Sequence, residues 1–579
     1  MGEPAATSSD TRAEAARAGA DSHLRWLVEQ LAGFELAPLA VSAVEEAWSA
    51  SRGRVTGLHT ALVETPPRLD SAGGVTEPVA ARELERESRR LGLVGSTYQP
   101  GWRSLARRAP RSLTAAVLLS LAEIDRAVAG GSLLVTDAVC RTLERHDLVL
   151  AARWLPQLTG AVDPAMTASI LLTEANSGAD LGLVETIALP DGPTAWRLTG
   201  EKWYAANAGA DLSLVLARPQ GAVGGTRGLA MFAVPRRLED GTPNAVRVES
   251  LRDPAALPGL PGLAIGRVRL AGAQGRLVGR PGRGFRQAMD VVTATRILLG
   301  VVAAAIARQA SEDARARARR RSERRGTAIE PLYHDELAEL VVDAVAATTG
   351  ALVGADVLQR TDHGRLGNEG SLRLLAPLLK RSVSRLAVGA SVRAIQLAGG
   401  SAATHDRELL DDAIAVTAWE GSPNVLALEI VRAADQGHAA ALFADLERRL
   451  AAAGVAAPLA ARLLDELARQ RAELEELALL DEPVQQVRAA HLADRLALLT
   501  LSAFLVEQGG TYADQTGSGR LLWIAARFAA RLTGDSAVAA AARDAHWLRY
   551  ADGLLDDRGP VPLEVGREAV RVVAGAAWL

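Results

Sequence analysis

The chain contains almost no cysteine, almost no lysine and few aromatic residues. Its single cysteine, Cys140, cannot close an internal disulfide, and no His/Cys spacing suits a metal. A cytoplasmic setting is therefore expected. Of 65 basic residues only Lys202 and Lys380 are lysines, a bias that reads as codon composition and not as a nucleic-acid signal. The formal net charge of −3 gives no global pull toward polyanions. Residues 1–22, "MGEPAATSSDTRAEAARAGADS", lack the apolar core of a signal peptide, and Ala6 departs from the myristoylation pattern. No uninterrupted apolar run approaches the length of a membrane span, and "GVVAAAIA" (300–307) reads as a buried-helix fragment. Phosphate-loop and His-Glu-x-x-His patterns are absent, and "GRPGRG" (279–284) lacks both dinucleotide spacing and a βαβ context.

What is present is a chain of 579 residues, 49% hydrophobic and 23% charged, long enough for several cores. Its texture changes three times. Residues 1–164 carry helical apolar spacing broken by Gly and Pro, as in "LTAAVLLSLAEIDRAVAG" (113–130). Residues 165–284 switch to short period-two runs such as "AWRLTGEKWYA" and "LAMFAVPR", which predict a small antiparallel β barrel or sheet. Helical spacing returns over 285–436 as a four-helix-type bundle. A helical extension is expected over 437–579, interrupted by a loop at "EQGGTYADQTGSG" (507–519). The predicted fold is thus mainly α with a small β domain in the middle, and clefts are expected where the β domain meets the second helical block.

The stretch "AVTAWEGSPNVLALEIVRA" (415–433) places Glu420 between Trp419 and Gly421 at a change of chain direction. Ser422 is expected to cap the next helix and Pro423 to fill its first position, with Val425, Leu426, Leu428 and Ile430 as its apolar stripe. A carboxylate beside an indole is harder to ionise than one in water, which suits proton transfer. A surface glutamate in a helix-entry loop is the plain alternative.

Five ordered segments bear on that choice: "LLTEANSGADLG" (171–182), "LTGEKWYAANAGAD" (198–211), the run 256–296, "QLAGG" (396–400) and "AWEGSPN" (418–424). Together they resemble the signatures of the acyl-CoA dehydrogenase superfamily. The runs Lys202-Trp203-Tyr204 and Trp419-Glu420-Gly421-Ser422, with the long extension, look most like its AidB-like branch. The resemblance implies that the protein binds FAD. It implies flavin contacts from Thr173, Gly178, Trp203 and Tyr204, and contacts to the diphosphate and adenosine side from Gln396, Gly399, Gly400, Ser422 and Asn424. It implies that Glu420 removes the proton α to an acyl carbonyl while hydride leaves for the flavin. The position where some relatives carry the base instead is Thr295 here. Arg296 matches the arginine near the pantetheine arm, with a helix-packing or intersubunit salt bridge as its other reading. Sharing of FAD between subunits implies a homodimer or homotetramer.

Some substrate-side positions depart from the family pattern. Ala179 and Ala206 stand where hydroxyl residues are usual, the glycine-tyrosine run after Gly399 has become "GSAATHD", and "RRRSERRGTAIEPL" (319–332) blurs an arginine-containing segment in which Arg321 or Arg324 would meet a phosphate. These departures favour a biosynthetic acyl substrate, thioester, carrier-bound or β-keto, over β-oxidation. A decarboxylating dehydrogenase or monooxygenase of a natural-product pathway is one alternative. A DNA-associated protective flavoprotein is another, but residues 441–579 hold 15 arginines, no lysine and 19 acids, so the extension argues against DNA. Neither a metal nor a membrane is expected as a partner.

Overall fold

The computed structural model describes residues 22–252, 259–363, 368–402, 404–533, 545–556 and 559–575. The polar start 1–21, residues 256–258 of the third signature segment and Ala403 lie outside the described residues. The described residues form two compact units, Ser42–Leu299 and a second built from Met1–Val41 with Gly300–Leu579.

The first unit holds most of α2 (Ala37–Arg52), then α3 (Arg54–Glu64), the short ladder β1 (Arg68–Leu69) with β2 (Val75–Thr76), α4 (Val79–Arg90), α5 (Gly95–Tyr98), α6 (Arg111–Ala122), α7 (Leu134–His146) and α8 (Leu148–Leu158). The end of α7 and the start of α8 share Asp147, whose side chain accepts from the Leu150 amide at 3.0 Å and so caps α8. Seven strands follow: β3 (Ala168–Leu171), β4 (Ile187–Pro190), β5 (Ala195–Ala206), β6 (Leu212–Pro219), β7 (Ala230–Pro235), β8 (Val246–Leu251) and β9 (Ile265–Leu277). Pairings run from β5 to β9, β7, β6 and back through β3 and β4 to β5, so the sheet closes on itself, with β8 added to β9. Leu171, Leu198, Val215, Phe232, Val248 and Val268 fill the interior.

The sheet is mixed, not purely antiparallel as expected. β6 runs parallel to β3 over Leu212–Val215 and parallel to β4 at Arg218–Pro219. Alternation of apolar and polar residues reports which side chains face inward and is the same for either strand direction, so the parallel pairs leave no trace in the pattern.

The second unit contains α1 (Ser22–Ala32) and, from residue 300 onward, the larger part of α9 (Gly284–Arg325). It continues with α10 (Pro331–Asp362), α11 (Asn368–Ala398), α12 (Thr404–Ala418), α13 (Pro423–Ala433), α14 (Ala439–Ala451), α15 (Ala457–Ala478), α16 (Glu482–Thr516), α17 (Arg520–Ala529), α18 (Ala551–Asp556) and α19 (Leu563–Ala574). α1 joins this body through Trp26, which donates to Gln515 at 2.7 Å and meets the Tyr512 ring edge-on at 5.2 Å.

Two further expectations fail here. The loop foreseen at 507–519 is helix as far as Thr516, with only Gly517 turning left-handed at φ 71°. Gly509 and Gly510 do not break α16. A Cβ on Gly510 would lie 2.1 Å from the Ala453 carbonyl oxygen, and one on Gly509 would lie 3.1 Å from that of Leu521. These glycines permit close backbone approach, a use that sequence cannot distinguish from a break. Moreover, α9, α10 and α16 are each long and apolar enough to cross a membrane by length and composition. Scattered charges hid this in a search for uninterrupted runs, and 89%, 94% and 72% of their most apolar windows are buried within the protein itself.

The extension is fastened to α10 by a buried ion cluster. Arg527 pairs with Glu339 at 2.8 Å and with Asp335, while Arg531 pairs with Glu339 at 2.7 Å and with Asp343 at 2.6 Å. Burial alone would raise the Glu339 carboxyl, but Arg531 and Arg527 hold it down at about 2, whereas burial leaves Asp343 raised. Because the folded-state value of Glu339 lies below its ordinary value, its contribution is full above about pH 4.5 and is lost as pH falls toward 2. The loss expected is on the order of 3 kcal/mol. Denaturant unfolding of the wild type between pH 6 and pH 2.5 is expected to show this fall, and Glu339→Gln is expected to flatten it while lowering stability at pH 6.

Candidate active site

The first-unit residues that the resemblance assigns to the flavin lie on β5 and in the chain just after β3. Just beyond β3, the Thr173 carbonyl accepts from the Trp203 amide at 2.9 Å, so two of the signature segments are joined through the main chain. The next residue, Glu174, turns inward. Its Oε1 lies 2.6 Å from Lys202 Nζ and also accepts from the Thr186 hydroxyl, while Oε2 accepts from the Glu185 amide at 2.7 Å. Lys202 is fully buried and donates as well to the Leu216 carbonyl at 2.7 Å. Burial draws the Lys202 ammonium down to about 8. Burial works against the Glu174 carboxylate too, but Lys202 and the Thr186 and Glu185 donors more than offset it and hold the carboxyl below its ordinary range. The pair is ionised at neutral pH.

This pair is a functional support that sequence reasoning missed, since it weighed Thr173 and the aromatic residues and took Lys202 only as part of a motif. The available signal was the rarity of lysine.

Beside Lys202 the β5–β9 ladder carries a bulge. Lys202 faces Val268 and Ala205 faces Gly266, so three steps on β5 answer two on β9. Trp203 and Tyr204 occupy the extra length. Tyr204 adopts φ 55° and is 70% exposed, while Trp203 donates through its indole to Glu201 at 2.9 Å and lies under the Arg267 guanidinium. The two rings meet with centroids 6.2 Å apart. A non-glycine residue held left-handed costs about 1–3 kcal/mol and persists where the surroundings impose it. Gly178 lies in the exposed loop after Thr173, and a Cβ built there would meet nothing within 4 Å.

In the second unit, α12 ends at Ala418 and the chain turns through Glu420 at φ 59° and Gly421 at φ 112° before α13. Glu420 is half-buried. Lys380, in α11 and 1% exposed, donates from Nζ to the Thr417 carbonyl at 2.6 Å and to the Gly421 carbonyl at 2.7 Å. Pro423 takes the first position of α13 as expected, and Ser422 occupies the N-cap position. Its hydroxyl makes no capping hydrogen bond, however, so the expected side-chain cap is absent. That end is held instead by Arg381, which donates to the Pro423 carbonyl and pairs with Asp494 of α16 at 2.9 Å. Ser422 and Asn424 are exposed on the same corner as Glu420.

Gln396 is exposed near the end of α11, where Tyr333 of α10 donates to the Leu397 carbonyl at 2.7 Å. Gly399, at φ 54°, and Gly400 follow in an exposed turn with no atom within 4 Å of an added Cβ. Arg296 is buried in the part of α9 that belongs to the first unit. Its neighbour Thr295 is fully buried and donates to the Val292 carbonyl at 3.0 Å, which leaves no base at that position. Among the described residues no cluster of His, Cys, Asp and Glu could hold a metal.

Residues 169–271 match the middle domain of acyl-CoA dehydrogenases, and residues 282–434 match the C-terminal domain. Acyl-CoA dehydrogenase family member 11 of Caenorhabditis elegans is 29% identical over 315 residues, covering 52% of this chain and 50% of that protein. The putative acyl-CoA dehydrogenase AidB of Escherichia coli (strain K12) is 30% identical over 269 residues, covering 45% and 47%. The chain spans about half the length of the curated relatives it matches. The solved structure of Caenorhabditis elegans ACDH-11 in complex with C11-CoA superposes with a TM-score of 0.77 at 21% identity, over 88% of this chain and 90% of that one. A glutaryl-CoA dehydrogenase from Mycobacterium smegmatis in complex with FADH2 gives 0.54 at 18% identity, over 70% and 95%. Residues 169–271 and 282–434 thus match two successive domains of acyl-CoA dehydrogenases, in the order in which they follow in this chain.

Removing Lys202 strands the buried Glu174 carboxylate. Lys202→Met is expected to cost about 3–5 kcal/mol in urea unfolding. Adding Glu174→Gln to it is expected to restore more than half of that loss.

Proposed function

We propose that the protein is an FAD-dependent oxidoreductase that removes an α-proton from an acyl substrate presented as a thioester, CoA-linked or carrier-bound. The observation that carries this reading is that Glu420 and Tyr204, assigned by resemblance to the proton and the flavin, are both non-glycine residues held at positive φ by buried supports. Backbone strain of this kind accompanies sites where a side chain must be presented at one orientation.

The residues fit the cofactor. Gly178, Gly399 and Gly400 leave bare backbone with open space where a diphosphate and ring must come close, and the bulged Trp203–Tyr204 pair offers aromatic surface. Thr173 supplies its hydroxyl and main chain beside that pair, and Gln396, Ser422 and Asn424 supply exposed polar groups on the adenosine side. When bound, FAD accepts the β-hydride. Glu420 takes the α-proton onto its carboxylate, and its half-buried setting limits competition from water. Arg296 is assigned by resemblance to the neighbourhood of the substrate's pantetheine arm. A homo-oligomer in which the Gln396–Gly400 segment serves a neighbouring subunit's FAD belongs to the same reading.

The changes at Ala179 and Ala206 support a biosynthetic substrate class over β-oxidation. DNA is disfavoured as a partner because three arginines in the arginine-rich end of α9 are paired internally. Arg315 and Arg319 pair with Asp556, and Arg317 pairs with Asp406.

Anaerobic addition of a panel of acyl-CoA and β-keto acyl thioesters to the yellow holoprotein is expected to bleach its visible spectrum with one member. A protein that takes up no FAD contradicts the proposal. Glu420→Gln is expected to keep the flavin and slow bleaching by at least about 100-fold. Tyr204→Ala is expected to shift stability by no more than about 0.5 kcal/mol, because the ring is exposed, yet to weaken FAD retention in equilibrium dialysis.

A further inference from the structure

The Glu420 corner is gripped from both sides by one buried cation. The Thr417 carbonyl, three residues before Glu420, belongs to the last turn of α12, which ends at Ala418. The Gly421 carbonyl lies immediately after Glu420. Lys380 Nζ reaches both, at 2.6 and 2.7 Å, from a site only 1% exposed. Between those two fixed oxygens the chain has only residues 418–420 to place, and it places Glu420 at φ 59°.

The residue type matters. All but two of the 65 basic residues are arginine, and the two lysines are both buried, Lys202 on the Glu174 carboxylate and the Leu216 carbonyl and Lys380 on the two carbonyls that flank Glu420. A compact ammonium can converge on two carbonyls in a closed space, whereas a planar guanidinium fork cannot turn its donors in the same way. Next in sequence, Arg381 donates to the Pro423 carbonyl and is itself held by Asp494 of α16, which also pairs with Arg385 at 2.8 Å. The corner is thus tied to α11 directly and to the C-terminal extension through one carboxylate.

We infer that Lys380 is the positioning residue for Glu420, and that the Arg381–Asp494 pair extends this support into the extension. The inference rests on the proposed role of Glu420 for its catalytic meaning, while the anchoring itself stands apart from that role. Lys380 touches neither substrate nor cofactor in this account. It acts by fixing the backbone that presents the carboxylate.

Two readouts test it on the full-length holoprotein. In Lys380→Met, hydrogen exchange of amides in 415–424 is expected to quicken by roughly tenfold or more, the scale of losing a charged hydrogen bond, while barrel amides are unchanged. The kcat for flavin reduction is expected to fall by at least about tenfold with KM changed less than about threefold, since misplacing a base affects the reacting geometry more than binding. Asp494→Asn, at a partly exposed position, keeps the test open should Lys380→Met not fold, and is expected to move both readouts the same way by a smaller factor. Unchanged exchange over 415–424 in both variants overturns the inference, as does a fall in kcat matched by an equal rise in KM. If the wild type reduces no flavin while exchange still quickens, the proposed role of Glu420 fails and the anchor stands.

Discussion

A buried ammonium must find oxygen, and in this protein that requirement shapes one candidate segment in each of the two units. Lys202 and Lys380 are almost wholly removed from water, and each donates to main-chain carbonyls, Lys202 to Leu216 of β6 and Lys380 to Thr417 and Gly421 around Glu420. Lys202 has Glu174 as counter-ion and locks the start of the Thr173 loop to β5. Lys380 spans the Glu420 corner. Neither bond needs to add much net stability, since desolvating a charge is costly and a good partner does little more than offset it. What such a bond supplies is position, because a charge in a closed space has few places where its donors are met.

That rigidity lets the chain hold conformations it would otherwise leave. Tyr204 at the β5 bulge and Glu420 at the end of α12 both sit in the left-handed region at a cost of about 1–3 kcal/mol each. On the barrel, the ladder on both sides of the bulge and the Trp203–Thr173 hydrogen bond enforce the shape. On the helical side, Lys380 and Arg381 enforce it. The extension, with no part in the expected chemistry, contributes through Asp494 and through the ion cluster on α10. Many of its described arginines pair with carboxylates of the same unit.

Much of this was legible in the sequence because the relevant signals are local. The switch from helical to period-two spacing near residue 165 marked the barrel, and Pro423 marked the start of α13. Five short motifs in order carried the family. Strand direction was not legible, because β3 and β4 alternate in the same way whether they run with β6 or against it. Gly509 and Gly510 were misread because a helical glycine for close packing and a breaking glycine look alike until the Ala453 and Leu521 carbonyls that a Cβ would meet are known. Ser422 occupies its expected position while its hydroxyl makes no cap hydrogen bond, and the corner is held from the other side by Arg381, which donates to the Pro423 carbonyl. The roles of Lys202 and Lys380 were hidden for another reason. Their rarity was visible, but its meaning depends on which carbonyls lie within reach, and those come from residues 14 to 41 positions away.

The central claim is that Glu420 removes the α-proton, and proton exchange measures that step directly. An acyl thioester that bleaches the flavin, labelled with deuterium at its α-carbon, would be incubated anaerobically with holoprotein whose flavin is already reduced, so that turnover cannot proceed. Mass spectrometry of the recovered thioester would follow loss of label to solvent. The account predicts rapid loss with the wild type and none above the uncatalysed rate with Glu420→Gln. Equal loss of label with both proteins would contradict it and assign the proton to another group.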